Sequence, residues 1–297
     1  MAATTSTLSA VIKPVYEPGY SEGVFYNDGA FLSLFGAPVR NPGDTAFRWL
    51  VNSGSNDSVE AFSEGDPAPD PGNQSFVAAY VSYSTYWAWV QVSGHLRTAV
   101  ESAYFPAIDA EFSLARNSLV DLITTTSMNT DLLTAVDSST NYGGLTRSAA
   151  TYFQSTETDL SSTALDSDDI LDTMEAQMDN DKNGKPMVIV CPFNQSTNVY
   201  RLTGVPATQM ISDRDKAPSY LSQAFATIPI RPFPDMTDTV IAILDTNPGN
   251  FVVVESRPFT INDAGRSGDS DVYELSAGVN LICKVPRKQA KIIGITA

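Results

Sequence analysis

PAIDAEFSLARNSLVDLITTT, Pro106–Thr126, has the clearest hydrophobic period in the sequence and reads as a helix. Ile108, Phe112, Ala115, Leu119 and Ile123 recur at spacings of four, three, four and four, while Asp109, Glu111, Arg116, Asn117 and Asp121 fall largely on the other side. One stripe is therefore expected to be buried. Pro106 suits a first helical turn, and the β-branched run Thr124-Thr125-Thr126 weakens the far end. At ~1.5 Å per residue the helix would be a rod of about 30 Å.

The bulk numbers allow a sizeable core. The chain has 297 residues, 42% hydrophobic and 18% charged, with ordinary Gly and Pro usage, which is the composition of a soluble folded chain. No apolar run approaches the ~18 residues that span a bilayer, and the first residues lack the pattern of a secretory leader, so a cytosol is the expected place of synthesis. Cys191 and Cys283 lie in the apolar runs VIVCPF and NLICKV and read as buried thiols. With one histidine and no CxxC, a Cys/His zinc site has too few ligands. A net charge of −16 argues against a general nucleic-acid binder, whose affinity comes from Lys and Arg.

Residues 1–43 are polar and then apolar, with Phe25, Phe31, Leu34 and Phe35 on one side of a short helix closed by Pro38 and Pro42. From Asp44 to Gly94, FRWLVNSGSNDSVEAF and SFVAAYVSYSTYWAWVQVSG read as two strands joined by the irregular SEGDPAPDPGNQ, a long two-stranded arm. The second strand has apolar residues on both faces, so the arm should need a partner surface, in its own domain or on another subunit. Tyr80, Tyr83, Tyr86, Trp87 and Trp89 are its candidate interface residues. After the helix, TSMNTDLLTAVDSST reads as a polar connection to Asn141-Tyr142-Gly143-Gly144, where paired glycines after Asn and Tyr predict a tight turn with positive φ.

Between Thr151 and Asp181 there are nine acidic residues and no Lys or Arg, marking a boundary. LDSDDILDTMEAQM reads as a helix capped by Asp166, with Asp168 and Asp169 in its first turn and Ile170, Leu171, Met174 and Met178 inward. PMVIVCP should be a buried strand and FNQSTNVYRL a helix. TVIAILD, NFVVVES, PFTIND, SDVYELSAG, VNLICKVP and AKIIGI then read as separate strands, with turns at Asn247-Pro248-Gly249 and Ala277-Gly278.

Motifs for chemistry are weak. Asp179-Asn-Asp181-Lys-Asn183-Gly184 matches the start of a calcium loop, but Met187 and Val190 stand where the last ligands should be, so it reads as a polar turn. His95 is the sole imidazole and no GxSxG is present, which leaves a serine hydrolase without support. The acidic run reads as a solvated face, and Lys284, Arg287, Lys288 and Lys291 as a small basic patch. No catalytic residue, cofactor or metal site is expected.

The order of these pieces, an N-terminal arm, a long two-stranded loop, a long helix, Tyr142-Gly143-Gly144-Leu145-Thr146-Arg147, an α/β segment and returning strands ending in KVPRKQAKIIGI, resembles the major capsid protein of tailed bacteriophages, the Hong Kong ninety-seven type of fold. The resemblance implies an α+β phage capsid fold: an N-terminal arm (1–43), an extended loop over a neighbour (44–94), a peripheral domain with a spine helix (95–147), an axial domain (148–245) and returning peripheral strands (246–297). It implies a structural virion protein that assembles in the host cytoplasm, through pentamers and hexamers, into an icosahedral shell around double-stranded DNA, with Asn141–Gly144 and Arg147 at a domain junction. An acidic wall would leave packed phosphates mobile.

Two departures from relatives carry expectations. Only about 43 residues precede the loop, which points to a separate scaffolding protein or none, beside cementing and portal proteins. No lysine lies between Asp44 and Gly94, so the Lys–Asn crosslink of some relatives is not expected from this loop. Rival readings are an encapsulin-like compartment, a soluble α/β enzyme using the acidic stretch, and a tail-tube or other virion protein.

Overall fold

The computed structural model describes residues 2–3, 30–40, 45–54, 74–93, 107–147, 149–180, 185–202, 224–225 and 228–296. His95 and the Asp181–Gly184 half of the calcium-like motif lie outside the described residues, as does most of the 1–43 arm. The chain forms two compact units, each assembled from three separate segments.

The first unit takes the described residues of Met1–Asp44, Tyr83–Ser127 and Val253–Leu281. Its five-stranded sheet has the order β1 (Ala2–Ala3), β5 (Tyr86–Ser93), β12 (Ser270–Cys283), β11 (Phe251–Ser267), β2 (Val39–Arg40), and the short helix α1 is Ala30–Ser33. The expected helix is α2, Ala107–Thr126. Its Leu119 and Ile123 are buried against Val90, Val92, Leu275 and Ala277, with Phe112 and Ala115 partly buried beside them. Phe112 meets Tyr273 edge-on at 5.1 Å.

The second unit takes Thr45–Ser82, Met128–Val252 and Ile282–Ala297. It holds a two-stranded hairpin, β3 (Ala46–Gly54) and β4 (Ser75–Ser82), and a six-stranded mixed sheet. That sheet has the order β6 (Thr156–Thr163), β13 (Ala290–Ile295), β10 (Ile241–Leu244), β7 (Val188–Pro192), β9 (Ile228–Phe233), β8 (Ala224–Phe225). Every residue of β7 and β10 is buried, which is why VIVCP and IAIL are continuously apolar. Helix α4 (Ser167–Asn180) packs on β6 and β13, and α5 (Phe193–Leu202) on β7 and β9.

Several expectations are corrected. SFVAAYVSYSTYWAWVQVSG is not one strand: it breaks at residues 83–85 into β4, which pairs with β3, and β5, which pairs with β12 in the other unit's sheet. Across the break the inward parity changes, from Ala79 in β4 to Val90 and Val92 in β5. TSMNTDLLTAV is no polar connection: α2 continues as a π-helix, Ser127–Leu132, and a last turn α3, Leu133–Ala135, burying Met128, Leu132, Ala135 and Val136. In α4, Leu171 and Met178 point out (45% and 44% exposed), while Thr173 and Gln177 are buried beside Ile170 and Met174. Both find partners inside: the Thr173 hydroxyl lies 2.8 Å from that of Thr158, and Gln177 Nε2 donates to the Lys288 carbonyl at 2.6 Å, while Gln177 Oε1 has no partner among the described residues.

NFVVVES and PFTIND join in the single strand β11, and Gly278 lies inside β12 instead of at a turn. β13 sits within the six-stranded sheet, whereas the resemblance implied a return to the peripheral domain. The two cysteines are free and buried, as expected. Among the described residues no helix is long and apolar enough to cross a membrane.

Candidate assembly site

The Tyr142–Arg147 turn forms the centre of the site, and the root of the β3–β4 hairpin packs on it. Tyr142 and Leu145 exchange backbone hydrogen bonds of 3.2 and 3.0 Å across Gly143 and Gly144, whose φ values of 65° and 73° are those a type I′ turn demands. The loop's carbonyl then serves as an anchor: Tyr80 donates its backbone N–H to the Gly143 carbonyl at 3.0 Å. A Cβ on Gly143 would lie 3.2 Å from that of Ala79, and one on Gly144 would overlap the Tyr80 ring. Gly143 is thus required twice, by dihedral angle and by close approach of β4, whereas Gly144 is required by its dihedral angle, the Tyr80 ring being free to move.

Beneath the turn three aromatic rings pack together. Tyr142 stacks on Phe153 at 6.2 Å and 16°, and Trp49 from β3 closes on both at 6.3 and 6.4 Å. Two polar handles fix them to the last residue of β12 and the residue after it. Trp49 Nε1 donates to the Lys284 carbonyl at 3.1 Å, and the Tyr142 hydroxyl accepts the Cys283 backbone N–H at 2.9 Å. Burial pushes the Tyr142 phenol well above its ordinary pKa, with the neighbouring Cys283 adding to the rise.

Arg147 is fully buried, and among the described residues no carboxylate pairs with it directly. It donates to the carbonyls of Phe153 (3.1 Å) and Ala135 (2.5 Å) and to Ser155 Oγ (3.4 Å), and it lies 5.5 Å over the rings of both Tyr142 and Phe153. Desolvation lowers its pKa. Carbonyl dipoles and two π-faces therefore hold the cation, and this ties the end of α3, the turn and the 3₁₀ turn Thr151–Phe153 into one rigid knot.

A second polar cluster flanks it. Lys291 from β13 pairs with Asp137 at 2.9 Å and Glu157 at 3.2 Å, and Glu157 also accepts from Ser138 N–H at 3.0 Å. Burial alone would raise the Asp137 pKa. Hydrogen bonds from Ser139, Lys291 and the backbone of Ser139 and Thr140 outweigh it and hold the carboxyl far below its usual range.

Of the residues singled out from sequence, Tyr142, Gly143, Gly144 and Arg147 come together here, with Asn141 exposed at the edge of the turn. The five aromatic candidates do not share one strand. Tyr80 lies on β4 and is 52% exposed. Tyr83 lies in the link, Tyr86 turns toward the α2 core, and Trp87 and Trp89 stand out from β5 at 60% and 55% exposure. The hairpin's outer face adds Leu50 (72%) and Phe76 (56%). Trp49 and Phe153 had no local signal, since each contributes through contacts distant in sequence. Among the described residues no cluster of metal-ligating side chains is present.

No curated protein matches the chain. Its fold is similar to the cyanophage A-1(L) capsid subunit, at 15% identity, a TM-score of 0.72, and coverage of 95% of this chain and 98% of that one. Mycobacterium phage Bobi gives 12% identity and a TM-score of 0.64 over 99% of both chains. An encapsulin complex from Synechococcus elongatus gives 11% and 0.63, over 99% of this chain and 96% of that one. The family model of the SU10 major capsid protein matches residues 107–296, more than half of the sequence. The chain belongs to the SU10 major capsid protein family, and its role is that of a structural subunit of a virion capsid.

Proposed function

We propose that this subunit builds an icosahedral shell around double-stranded DNA, through pentamers and hexamers formed in the host cytoplasm. The β3–β4 hairpin acts as the root of an extended loop that lies over a neighbouring subunit. One observation carries the reading: a hairpin anchored by the Tyr142 knot presents Leu50, Phe76 and Tyr80 to solvent on one face. Three large apolar side chains on one two-stranded face need cover, and a second copy supplies it. The arm's root must be stiff for this to specify curvature, and Arg147 and the paired glycines supply that stiffness.

The α2 unit would form the peripheral domain and the six-stranded unit the axial domain. The proposed interface residues are Tyr80, Tyr83, Trp87 and Trp89, Tyr86 being taken up by the α2 core, with Asn141, Tyr142, Gly143, Gly144 and Arg147 at the junction. Separate scaffolding, cementing and portal proteins would complete the particle. Without a lysine in residues 44–94, the loop is held by burial and not by an isopeptide bond. Negative-stain microscopy of the expressed protein tests this reading. Closed shells support it, and a chain that stays monomeric at high concentration defeats it. Particles isolated with packaged protein in place of DNA would assign an encapsulin-like compartment instead.

A further inference from the structure

β11 has an open edge. On the side away from β12, the ladder among the described residues pairs Val254 and Glu255 with Val39 and Arg40 of β2. At the other end Gly265, at φ 92°, bends the strand, its N–H donating to Asp263 Oδ1 at 2.8 Å. Between these limits, among the described residues, Ser256–Ala264 pairs with nothing on that side, and the central residue of this window is Thr260. The window is exposed: Phe259 is 40% and Ile261 51% accessible, and it contains no guarding lysine. Long uncovered edges are templates for strand pairing, and Pro258 is tolerated at an edge.

The window reads Arg257-Pro-Phe259-Thr260-Ile261-Asn-Asp263, which is self-complementary when reversed about its centre. We propose that the β11 strands of two copies pair antiparallel, edge to edge, across a two-fold axis, with Thr260 opposite Thr260 of the partner subunit. Arg257 then faces Asp263 of the partner subunit, and Phe259 faces Ile261 of the partner subunit, each twice by symmetry. All four side chains lie on one face, because their numbers are odd and strand side chains alternate. A slip of one residue would set Arg257 against Asn or Ala and Phe259 against Thr or Asn, so the register is specified. Neither Arg257 nor Asp263 has an ion-pair partner among the described residues. The inference rests on the shell reading, since a closed icosahedral shell supplies two-fold axes at which one patch meets itself.

The test uses cysteine pairs in assembled particles, where Cys191 and Cys283 are buried and silent. Thr260→Cys places two sulfurs on the axis, whereas in Asn262→Cys they are separated by about four residues of strand, beyond the ~7 Å Cα limit for a disulfide. Under mild oxidation, Thr260→Cys should run on a non-reducing gel mainly at twice the chain mass, and Asn262→Cys at the chain mass. In parallel, Arg257→Asp and Asp263→Arg should each reduce particle yield, and the double variant should recover it. Particles in which Thr260→Cys gives no dimer, or Asn262→Cys dimerises as well, overturn the proposal. If Thr260→Cys does not assemble, the charge swap decides: recovery in the double variant upholds the pairing and its absence overturns it. Unmodified subunits that form no particle defeat the shell reading. A Thr260→Cys dimer from such subunits in solution would still uphold the pairing, and no dimer would overturn it.

Discussion

The Tyr142 hydroxyl accepts the backbone N–H of Cys283 at 2.9 Å, across 141 residues of chain. This bond ties the turn under the hairpin to the end of β12, and it satisfies a buried N–H. Tyr142→Phe keeps the ring stack but orphans that donor. The expected loss is about 1–3 kcal/mol of unfolding free energy, read as a lower urea midpoint at unchanged slope.

At Gly144 two costs separate. Ala there must hold a positive φ, at about 1–2 kcal/mol, and must displace the Tyr80 ring, which is half exposed and can swing away. Gly144→Ala should therefore destabilise by roughly the backbone cost alone. Adding Tyr80→Ala should restore little of it. A large rescue in the double variant would place the cost in the ring contact instead.

Arg147 is the one fully buried cation in the knot. Arg147→Met keeps most of the volume but leaves the Phe153 and Ala135 carbonyls without their donors. A loss of about 2–5 kcal/mol is expected, with the hairpin root becoming open to limited proteolysis before the six-stranded sheet unfolds. Arg147→Lys should be nearly as damaging, because one ammonium cannot reproduce the planar fork between two rings.

Asp137 makes stability depend on acid. Its folded pKa lies below the unfolded value of ~3.9, so its contribution is complete above that value and is lost as pH falls beneath about 4. Urea midpoints of wild type and Asp137→Asn should differ by a constant amount from pH 7 down to about 5. They should converge progressively as pH falls below about 4, where the unfolded carboxyl takes up a proton that the folded one resists.

The two thiols give a readout of global opening. Burial pushes Cys191 and Cys283 up to about 12, so neither forms the reactive thiolate at neutral pH. A thiol reagent should label both only as fast as the units unfold. Rapid labelling of either in native protein would show local opening of β7 or β12.

Sequence alone determined the elements whose signals are local. The stripe of α2, the unbroken apolar runs of β7 and β10, and the paired glycines after Tyr142 are each set by residues a few positions apart, where helical period, burial on both faces and positive φ leave direct marks. Tertiary structure decided everything set by distant partners. The break at residues 83–85 is invisible because both β4 and β5 alternate, and only their different sheets force the parity change. Polar Thr173 and Gln177 lie inside, and Leu171 and Met178 outside, where a facing threonine and backbone carbonyls accept the hydroxyl and amide N–H of the polar pair. The edge strand β6 has almost no apolar residue to announce it. The knot around Arg147 draws on Trp49, Ala135, Phe153 and the Cys283–Lys284 backbone, and no local pattern can specify contacts between segments that only folding brings together.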